Sequence, residues 1–159
     1  MFRRIVVAID TSEYSLRVIP TAIEVAQKFH SDVYVLHACE HDRGHAVAYS
    51  EDSPAGAMRL VADAVKVLRE EGVVAGGQVH DVAAGHVAKD IVETAAEFEA
   101  DLIVMGSRGL SDVQGILLGS VTHKVIQLAP IPVLVARGPI PVKVKAQQPA
   151  MASIPALAY

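Results

Sequence analysis

Residues 102–121 read LIVMGSRGLSDVQGILLGSV, and this stretch decides the fold. The apolar run at its start is typical of a buried strand, and an amphipathic helix is expected to begin at Gly119. A loop that carries Gly106 and Gly109 lies between them, and Ser120 follows Gly119. A strand, a glycine-bearing loop and a helix start, in that order, indicate an α/β unit whose loop can hold an anion.

The same alternation extends through the rest of the chain. Strands are predicted at residues 4–9, 32–38, 79–83, 102–105 and 131–136, and helices at 12–29, 53–71, 87–99 and 119–128. Ser12 is the expected N-cap of the first helix, and Pro20 falls inside that helix. Residues 40–53 are polar and are predicted to form a long loop. This order predicts an open, Rossmann-like α/β fold with five parallel strands and helices on both faces.

Periodicity leaves two strand orders open, 3-2-1-4-5 and 2-1-3-4-5. In open parallel sheets, ligands bind beyond the carboxyl ends of the strands, where the strand order reverses. In the first order, strands 1 and 4 are neighbours, so residues 10–12 face the glycine loop at 106–119. The position of the glycine loop therefore favours the order 3-2-1-4-5.

Composition limits the partners and the setting. The chain of 159 residues is 52% hydrophobic with only 4% aromatic residues, which suits one domain with a core of Val, Ile, Leu and Ala. A net charge of -4 argues against nucleic acid as a partner. The sequence has no apolar run long enough for a membrane span, and its one cysteine, Cys39, excludes an intrachain disulfide. We therefore expect a cytoplasmic protein.

The chain divides into a domain at residues 1–137 and a tail at residues 138–159. The tail contains four prolines and several alanines, and it has no helical stripe. Such a composition is typical of a flexible segment. Ile154, Leu157 and Tyr159 allow the alternative that the tail packs on a partner subunit.

The glycine loop supplies the candidate anion site. Gly106 is expected to turn with positive φ, and Gly109 to let backbone N–H groups approach a ligand. Ser120 would add a hydroxyl and an N–H at a helix start, where the macrodipole favours an anion. Arg108 and Lys124 are the nearest cations. The loop is neither a Walker loop nor a G-x-G-x-x-G fingerprint, and the alternative is that its glycines only shape the loop.

The motif G-x2-G-x9-G-S, filled by Gly106, Gly109, Gly119 and Ser120, resembles the ATP-binding signature of the universal stress protein family. Four other segments agree with that family: IVVAIDTSEYS at 5–15, VYVLHA at 33–38, ADLIVMGSRG at 100–109 and PIPVLV at 130–135. The resemblance covers about residues 2–137. It implies the strand order 3-2-1-4-5.

The resemblance also implies a role for each matching position. Asp10 would accept hydrogen bonds from a ribose, although a carboxylate at this position could instead cap the following helix. Ala8 and Ala38 would line an adenine pocket, and Met105 would contact the nucleoside. The phosphates, bridged by a divalent ion such as Mg²⁺, would be wrapped by Gly106, Gly109, Gly119, Ser120 and Val121. The family's usual homodimer pairs the fifth strands, and the tail of this chain departs from that pattern.

Four functions follow as hypotheses. The first is a universal stress protein that binds ATP with Mg²⁺ as a regulatory or sensing module. The second is a slow ATPase, for which Asp112 and His123 are the only nearby candidate bases. The third is a binder of AMP or cyclic AMP, and the fourth is an interaction protein without nucleotide. The sequence points to no catalytic residue, so the site is interpreted as one that holds a ligand.

Two further features suggest other chemistry. His37, His41 and His45 are spaced by four residues, which would align them as metal ligands only on a helix. We interpret them instead as solvated loop histidines and predict no metal site in the protein itself. Cys39 as a redox thiol is the weaker interpretation, because buried cysteines are usually inert.

Overall fold

The computed structural model of the protein describes residues 1–12, 15–41, 53–107 and 118–137. Within these ranges the strands are β1 (Arg4–Ala8), β2 (Asp32–His41), β3 (Ala75–Ala83), β4 (Leu102–Gly106) and β5 (Val133–Ala136). They form one sheet in the order β3-β2-β1-β4-β5, and every neighbouring pair is parallel. The predicted parallel fold and the strand order 3-2-1-4-5 are confirmed.

Helices cover both faces of this sheet, as predicted. They are α1 (Ser15–Phe29), α2 (Pro54–Glu70), α3 (Val87–Glu97) and α4 (Ser120–Leu128). Helices α1 and α2 pack on one face with Ile5 and Val7, and α3 and α4 pack on the other with Val6 and Ile103. All four of these strand residues are completely buried. Strands that are apolar on both faces produce this three-layer arrangement.

The start of α1 differs from the prediction. The helix begins at Ser15, three residues after Ser12, so Ser12 is not its N-cap. The Ser12 side chain donates to the Asp10 carboxylate. Pro20 does lie inside the helix. The start of α2 agrees better with the sequence, since the Ser53 hydroxyl accepts from the Gly56 N–H at 3.2 Å. Gly72, directly after the predicted range 53–71, has a φ of 78° and follows the end of the helix as a glycine commonly does.

The middle strands are longer than predicted. β3 begins at Ala75 rather than at residue 79 and so includes Gly76 and Gly77. β2 continues through His41 into the expected loop. The reason is a ladder of nine residue pairs between the two strands. A Cβ at Gly77 would lie 2.5 Å from the Val35 carbonyl oxygen and 2.9 Å from Val61 Cγ1. Glycine thus lets the strand pass close beneath α2.

Polar contacts tie the chain together at the amino-terminal edge of the sheet. Asp101 accepts from the backbone N–H groups of Arg3 at 2.7 Å and Arg4 at 3.1 Å. These two hydrogen bonds hold the pKa of the Asp101 carboxyl below its ordinary value. Ser31 donates its hydroxyl to the Phe2 carbonyl at the same edge.

None of the helices in the described ranges is long and apolar enough to cross a membrane.

Candidate functional site

The sheet brings the ends of β1 and β4 together at its carboxyl edge. β1 and β4 are direct neighbours, and Ala8 stands opposite Met105 in their register. Both side chains are at least nine-tenths buried and form an apolar floor. Asp10 follows β1, and Gly106 ends β4. The predicted neighbourhood of these four residues is therefore present. Ala38 lies near the end of β2, on the other side of β1.

Asp10 closes a tight turn directly after β1. One carboxylate oxygen accepts from the Ser12 N–H at 3.0 Å and also from the Ser12 hydroxyl. Because α1 begins only at Ser15, Asp10 is not the N-cap of that helix. The carboxylate is half-buried, so the turn presents a negatively charged acceptor at the sheet edge. Such an acceptor suits the hydroxyl groups of a sugar.

His37 belongs to the same neighbourhood, and the sequence interpretation missed it. It is 4% exposed rather than solvated, and its Nδ1 lies 2.9 Å from the Ile9 carbonyl oxygen. The sequence feature that could have indicated a buried histidine is the position of this polar residue inside the apolar run VYVLHA of β2. A buried imidazole usually has a hydrogen-bond partner, and this one holds the residue before Asp10.

The other side of the site is the start of α4. Gly119 is the N-cap, with φ −67° and ψ 156°, and its N–H donates to the Ser107 carbonyl at 2.7 Å. The Ser107 N–H in turn donates to the Ala136 carbonyl at 3.0 Å. Thr122, which is buried, donates its hydroxyl to the Gly106 carbonyl at 2.9 Å. These contacts fix the start of α4 against the ends of β4 and β5.

The conformation of Gly106 corrects one expectation. Gly106 is the last residue of β4 and pairs with Ala136. The described glycines with positive φ are Gly72 and Gly85, so Gly106 does not make the predicted left-handed turn. The strand continues through it because β5 offers a partner at that position.

The first turn of α4 provides the anion-binding groups. The first hydrogen bond of the helix runs from the His123 N–H to the Gly119 carbonyl at 2.9 Å. The N–H groups of Ser120 and Val121 come before it, so they have no acceptor within the helix. The helix dipole adds a partial positive charge there. Ser120 and Lys124 are exposed. Arg108, Gly109 and Asp112 lie outside the described residues.

The histidine and cysteine hypotheses have separate outcomes. Among residues 1–12, 15–41, 53–107 and 118–137, no group of three His, Cys, Asp or Glu side chains could hold a metal ion. His37 is buried in β2 and His41 ends that strand, so the interpretation of solvated loop histidines is wrong for His37. His45 lies outside the described part of the chain. Cys39 is half-buried.

A cavity of about 950 Å³ lies away from this site, between α2 and the edge strand β3. Its apolar lining comes from Met58, Val61, Val65 and Val79. It does not include Ala8, Asp10, Met105 or Gly119. The cavity is therefore a separate feature from the carboxyl-edge site.

The chemistry of the carboxyl edge has two ends. One end has an acidic acceptor at Asp10 and an apolar floor, and the other has N–H groups at a helix start that have no acceptor within the helix. A ligand with an apolar ring, a hydroxylated sugar and a phosphate would match both ends.

Comparisons with known proteins agree with this geometry. Residues 1–137 match the model of the universal stress protein family. A universal stress protein of Methanocaldococcus jannaschii is 34% identical, over 87% of this chain and 84% of that protein. A universal stress protein from Archaeoglobus fulgidus, solved in complex with dAMP, has a TM-score of 0.63 and 31% identity, covering 84% of this chain and 96% of its own.

A further solved structure, a universal stress protein in complex with cAMP, has a TM-score of 0.65 and 26% identity, again covering 84% of this chain and 96% of its own. The strand order, the matched residues and these relatives agree. The chain belongs to the universal stress protein family.

Proposed function

We propose that this protein binds ATP, with Mg²⁺, at the carboxyl edge of the sheet and acts as a regulatory or sensing module in stress response. The observation that carries the proposal is the hydrogen bond from the Gly119 N–H to the Ser107 carbonyl. It places the start of α4 beside the end of β4, next to the β1 end that leads into Asp10. In this proposal the start of α4 binds the phosphates and the turn after β1 binds the sugar, so one ligand contacts both.

In this proposal each predicted residue has one task. Ala8, Ala38 and Met105 border the base and the nucleoside, and Asp10 accepts from the ribose hydroxyls. Gly106, Gly119, Ser120 and Val121 surround the phosphates, together with Arg108 and Gly109 from the segment outside the described residues. The dAMP and cAMP complexes of the two relatives support an adenine nucleotide as the ligand class.

The described residues fit Mg²⁺ only as an ion carried by the nucleotide. Mg²⁺ is commonly held by substrate phosphates, waters and one or two carboxylates rather than by a full protein cage. The absence of an acidic cluster within the described ranges agrees with that mode. When bound, the ion would offset the negative charge of the phosphates.

A monophosphate ligand is the second candidate. The relatives' complexes with dAMP and cAMP favour it specifically, because each ligand carries one phosphate. Slow hydrolysis of ATP is a weaker alternative. His123 is exposed on α4, Asp112 lies outside the described residues, and the Asp10 carboxylate already accepts from Ser12.

The test is isothermal titration calorimetry with ATP, AMP and cyclic AMP, each with and without Mg²⁺. We expect ATP with Mg²⁺ to bind most tightly. A preference for AMP or cyclic AMP would support the second candidate, and no binding of any of the three at millimolar concentration would overturn the proposal.

A matched pair of variants, Gly119→Asp and Gly119→Asn, tests the phosphate end. The backbone of Gly119 has φ −67° and ψ 156°, an extended conformation that N-cap residues adopt, and Asp and Asn are both good N-caps. We expect Gly119→Asp to keep its stability but to weaken ATP binding at least tenfold, because a carboxylate repels the phosphates. Gly119→Asn lacks that charge and should bind ATP more tightly than Gly119→Asp. Equal affinities in the two variants would contradict phosphate binding at this helix start.

The proposal extends to assembly and location. β5 is an edge strand among the described residues, and Leu134 on it is 36% exposed. We propose a cytoplasmic homodimer that pairs through β5; the tail at 138–159 lies outside the described residues. Light scattering coupled to size-exclusion chromatography measures the subunit count, and a monomer at all concentrations would contradict the dimer.

A further inference from the structure

We propose that His37 is a positioning residue for the nucleotide site, because its imidazole fixes the peptide that leads into Asp10. This inference rests on the proposed function and extends it to a residue that need not touch the ligand. It assigns a task to a buried polar side chain that nucleotide binding does not otherwise use.

The contact lies where β1 and β2 separate. Their ladder ends with the Ile9 N–H, which donates to the Leu36 carbonyl at 2.9 Å. The next acceptor along β1 is the Ile9 carbonyl, and it lies 2.9 Å from Nδ1 of His37. A side chain thus continues the strand pairing by one hydrogen bond, at the point where the chain turns towards the site.

The partner determines the tautomer of His37. A carbonyl oxygen only accepts, so Nδ1 must carry the hydrogen in this contact. In the neutral ring, Nε2 is then the atom with the free lone pair. The contact requires a donor at the Nδ1 position, and a donor at the Nε2 position does not replace it.

Burial makes this hydrogen bond more than a surface detail. His37 is 4% exposed, and Val35 and Leu36 beside it are completely buried. An apolar residue would pack there at a lower desolvation cost, so the imidazole is explained by its hydrogen bond. Without a donor, the Ile9 carbonyl would lose this partner in a buried setting.

The Ile9 carbonyl and the Asp10 N–H belong to one planar peptide unit. Holding the carbonyl therefore sets the orientation of Asp10 at its backbone. Ser12 holds the carboxylate of Asp10 at the other side of the turn. With both ends held, Asp10 is prepared for a ligand before the ligand arrives, which lowers the cost of binding.

The matched variants are His37→Asn and His37→Gln. The Asn amide nitrogen can occupy the Nδ1 position, whereas the longer Gln places its amide nitrogen near the Nε2 position. We expect His37→Asn to bind ATP within about threefold of the wild type and His37→Gln to bind about tenfold more weakly, the size of one buried hydrogen bond. Equal affinities in the two variants, whether both unchanged or both reduced, would overturn the inference.

A second measurement does not depend on nucleotide. The amide resonances and hydrogen exchange of Asp10 and Ser12 in the free protein report the order of the turn. They should match the wild type in His37→Asn and show faster exchange in His37→Gln, while amides in α3 stay unchanged in both. An unaltered turn in His37→Gln would refute the positioning role, even if the wild type bound no nucleotide. Because this measurement needs no nucleotide, it distinguishes a failure of the positioning role from a failure of the proposed function.

Should His37→Gln fail to fold, the comparison of His37→Asn with the wild type decides. Retained ATP affinity and an unchanged turn in His37→Asn support the inference. A tenfold loss of affinity in that variant, with the donor still available, overturns it.

Discussion

The two edges of the sheet are built differently, although the same strands form both. At the amino-terminal edge, protein groups satisfy each other. Asp101 accepts from two backbone N–H groups, and the Asp101 and Asp32 N–H groups donate to the Arg4 and Arg3 carbonyls at 2.8 Å. At the carboxyl edge, the first N–H groups of α4 have no acceptor within the helix, and Asp10 presents a carboxylate. The contacts described at the amino-terminal edge join protein groups to each other, whereas the carboxyl edge also presents an acidic side chain and a helix start.

Helix polarity explains why the edges differ. In a parallel α/β fold, helices end at the amino-terminal edge of the sheet and begin at the carboxyl edge. Arg4 donates to the carbonyl of Phe98, which follows the last residue of α3, at 3.3 Å, so a cation meets the negative end of that helix. The start of α4 has the opposite polarity and attracts an anion. The comparison predicts that a substitution at the amino-terminal edge changes stability alone, whereas a substitution at the carboxyl edge also changes ATP affinity.

Ile103→Ala should destabilise the whole sheet, because Ile103 belongs to the core that supports both edges. Ile103 is completely buried on β4, which pairs with β1 and β5. Removing its side chain leaves a cavity and should lower the free energy of unfolding by about 3 kcal/mol. Urea denaturation measures the loss. A loss below about 1 kcal/mol would show that the sheet relaxes around the cavity.

Thr122→Val should have a smaller effect, concentrated at the carboxyl edge. The variant keeps the shape of Thr122 but removes the hydroxyl that donates to the Gly106 carbonyl. We expect a loss of about 1–2 kcal/mol in the free energy of unfolding, because the site is buried. ATP affinity should fall as well, since the start of α4 loses a tie to β4. Titration calorimetry beside urea denaturation checks both, and unchanged affinity would argue that Gly119 alone places the helix.

Asp101→Asn should have the smallest effect, and only at the amino-terminal edge. An amide oxygen can still accept, but without charge, so we expect a loss of about 1 kcal/mol or less near neutral pH. ATP affinity should stay unchanged, in contrast to Thr122→Val. A change in ATP affinity would contradict the prediction that the amino-terminal edge contributes to stability and not to binding.

The pH dependence of the same variant has a defined sign. The pKa of Asp101 is lowered in the folded protein, so its contribution is complete above the ordinary value of 3.8. It is lost as the pH falls through the lowered folded value. The stabilities of the wild type and Asp101→Asn should therefore converge in acid, as measured by urea denaturation between pH 7 and pH 2. A constant difference across that range would show that the charge plays no part.

Much of the fold was predictable because it depends on residue type alone. Apolar β-branched runs identified all five strands, and Ser53 and Gly72 marked the ends of α2. The errors occurred where pairing overrides local preference. Gly76 and Gly77 weaken a strand by themselves, yet β2 pairs with them and Val61 packs where a side chain would be. Ser12 is a residue type that commonly caps helices, but here its hydroxyl donates to the Asp10 carboxylate.

The candidate site was predictable in part for the same reason. Glycine spacing and the acid after β1 identified the residues, and the strand order then placed Ala8 opposite Met105. Contacts between side chains and backbone groups that are far apart in the sequence leave no such pattern in it. Nothing in the spacing indicates that His37 holds the Ile9 carbonyl or that Ser107 accepts from Gly119.

Local pattern was therefore enough for the class of fold and the family, because periodicity and glycine spacing are properties of neighbouring residues. The orientation of those residues came only with the tertiary structure. The Ile9 carbonyl, the turn at Asp10 and the start of α4 are each held by a partner from another part of the chain. Folding is what brings those partners within hydrogen-bonding distance.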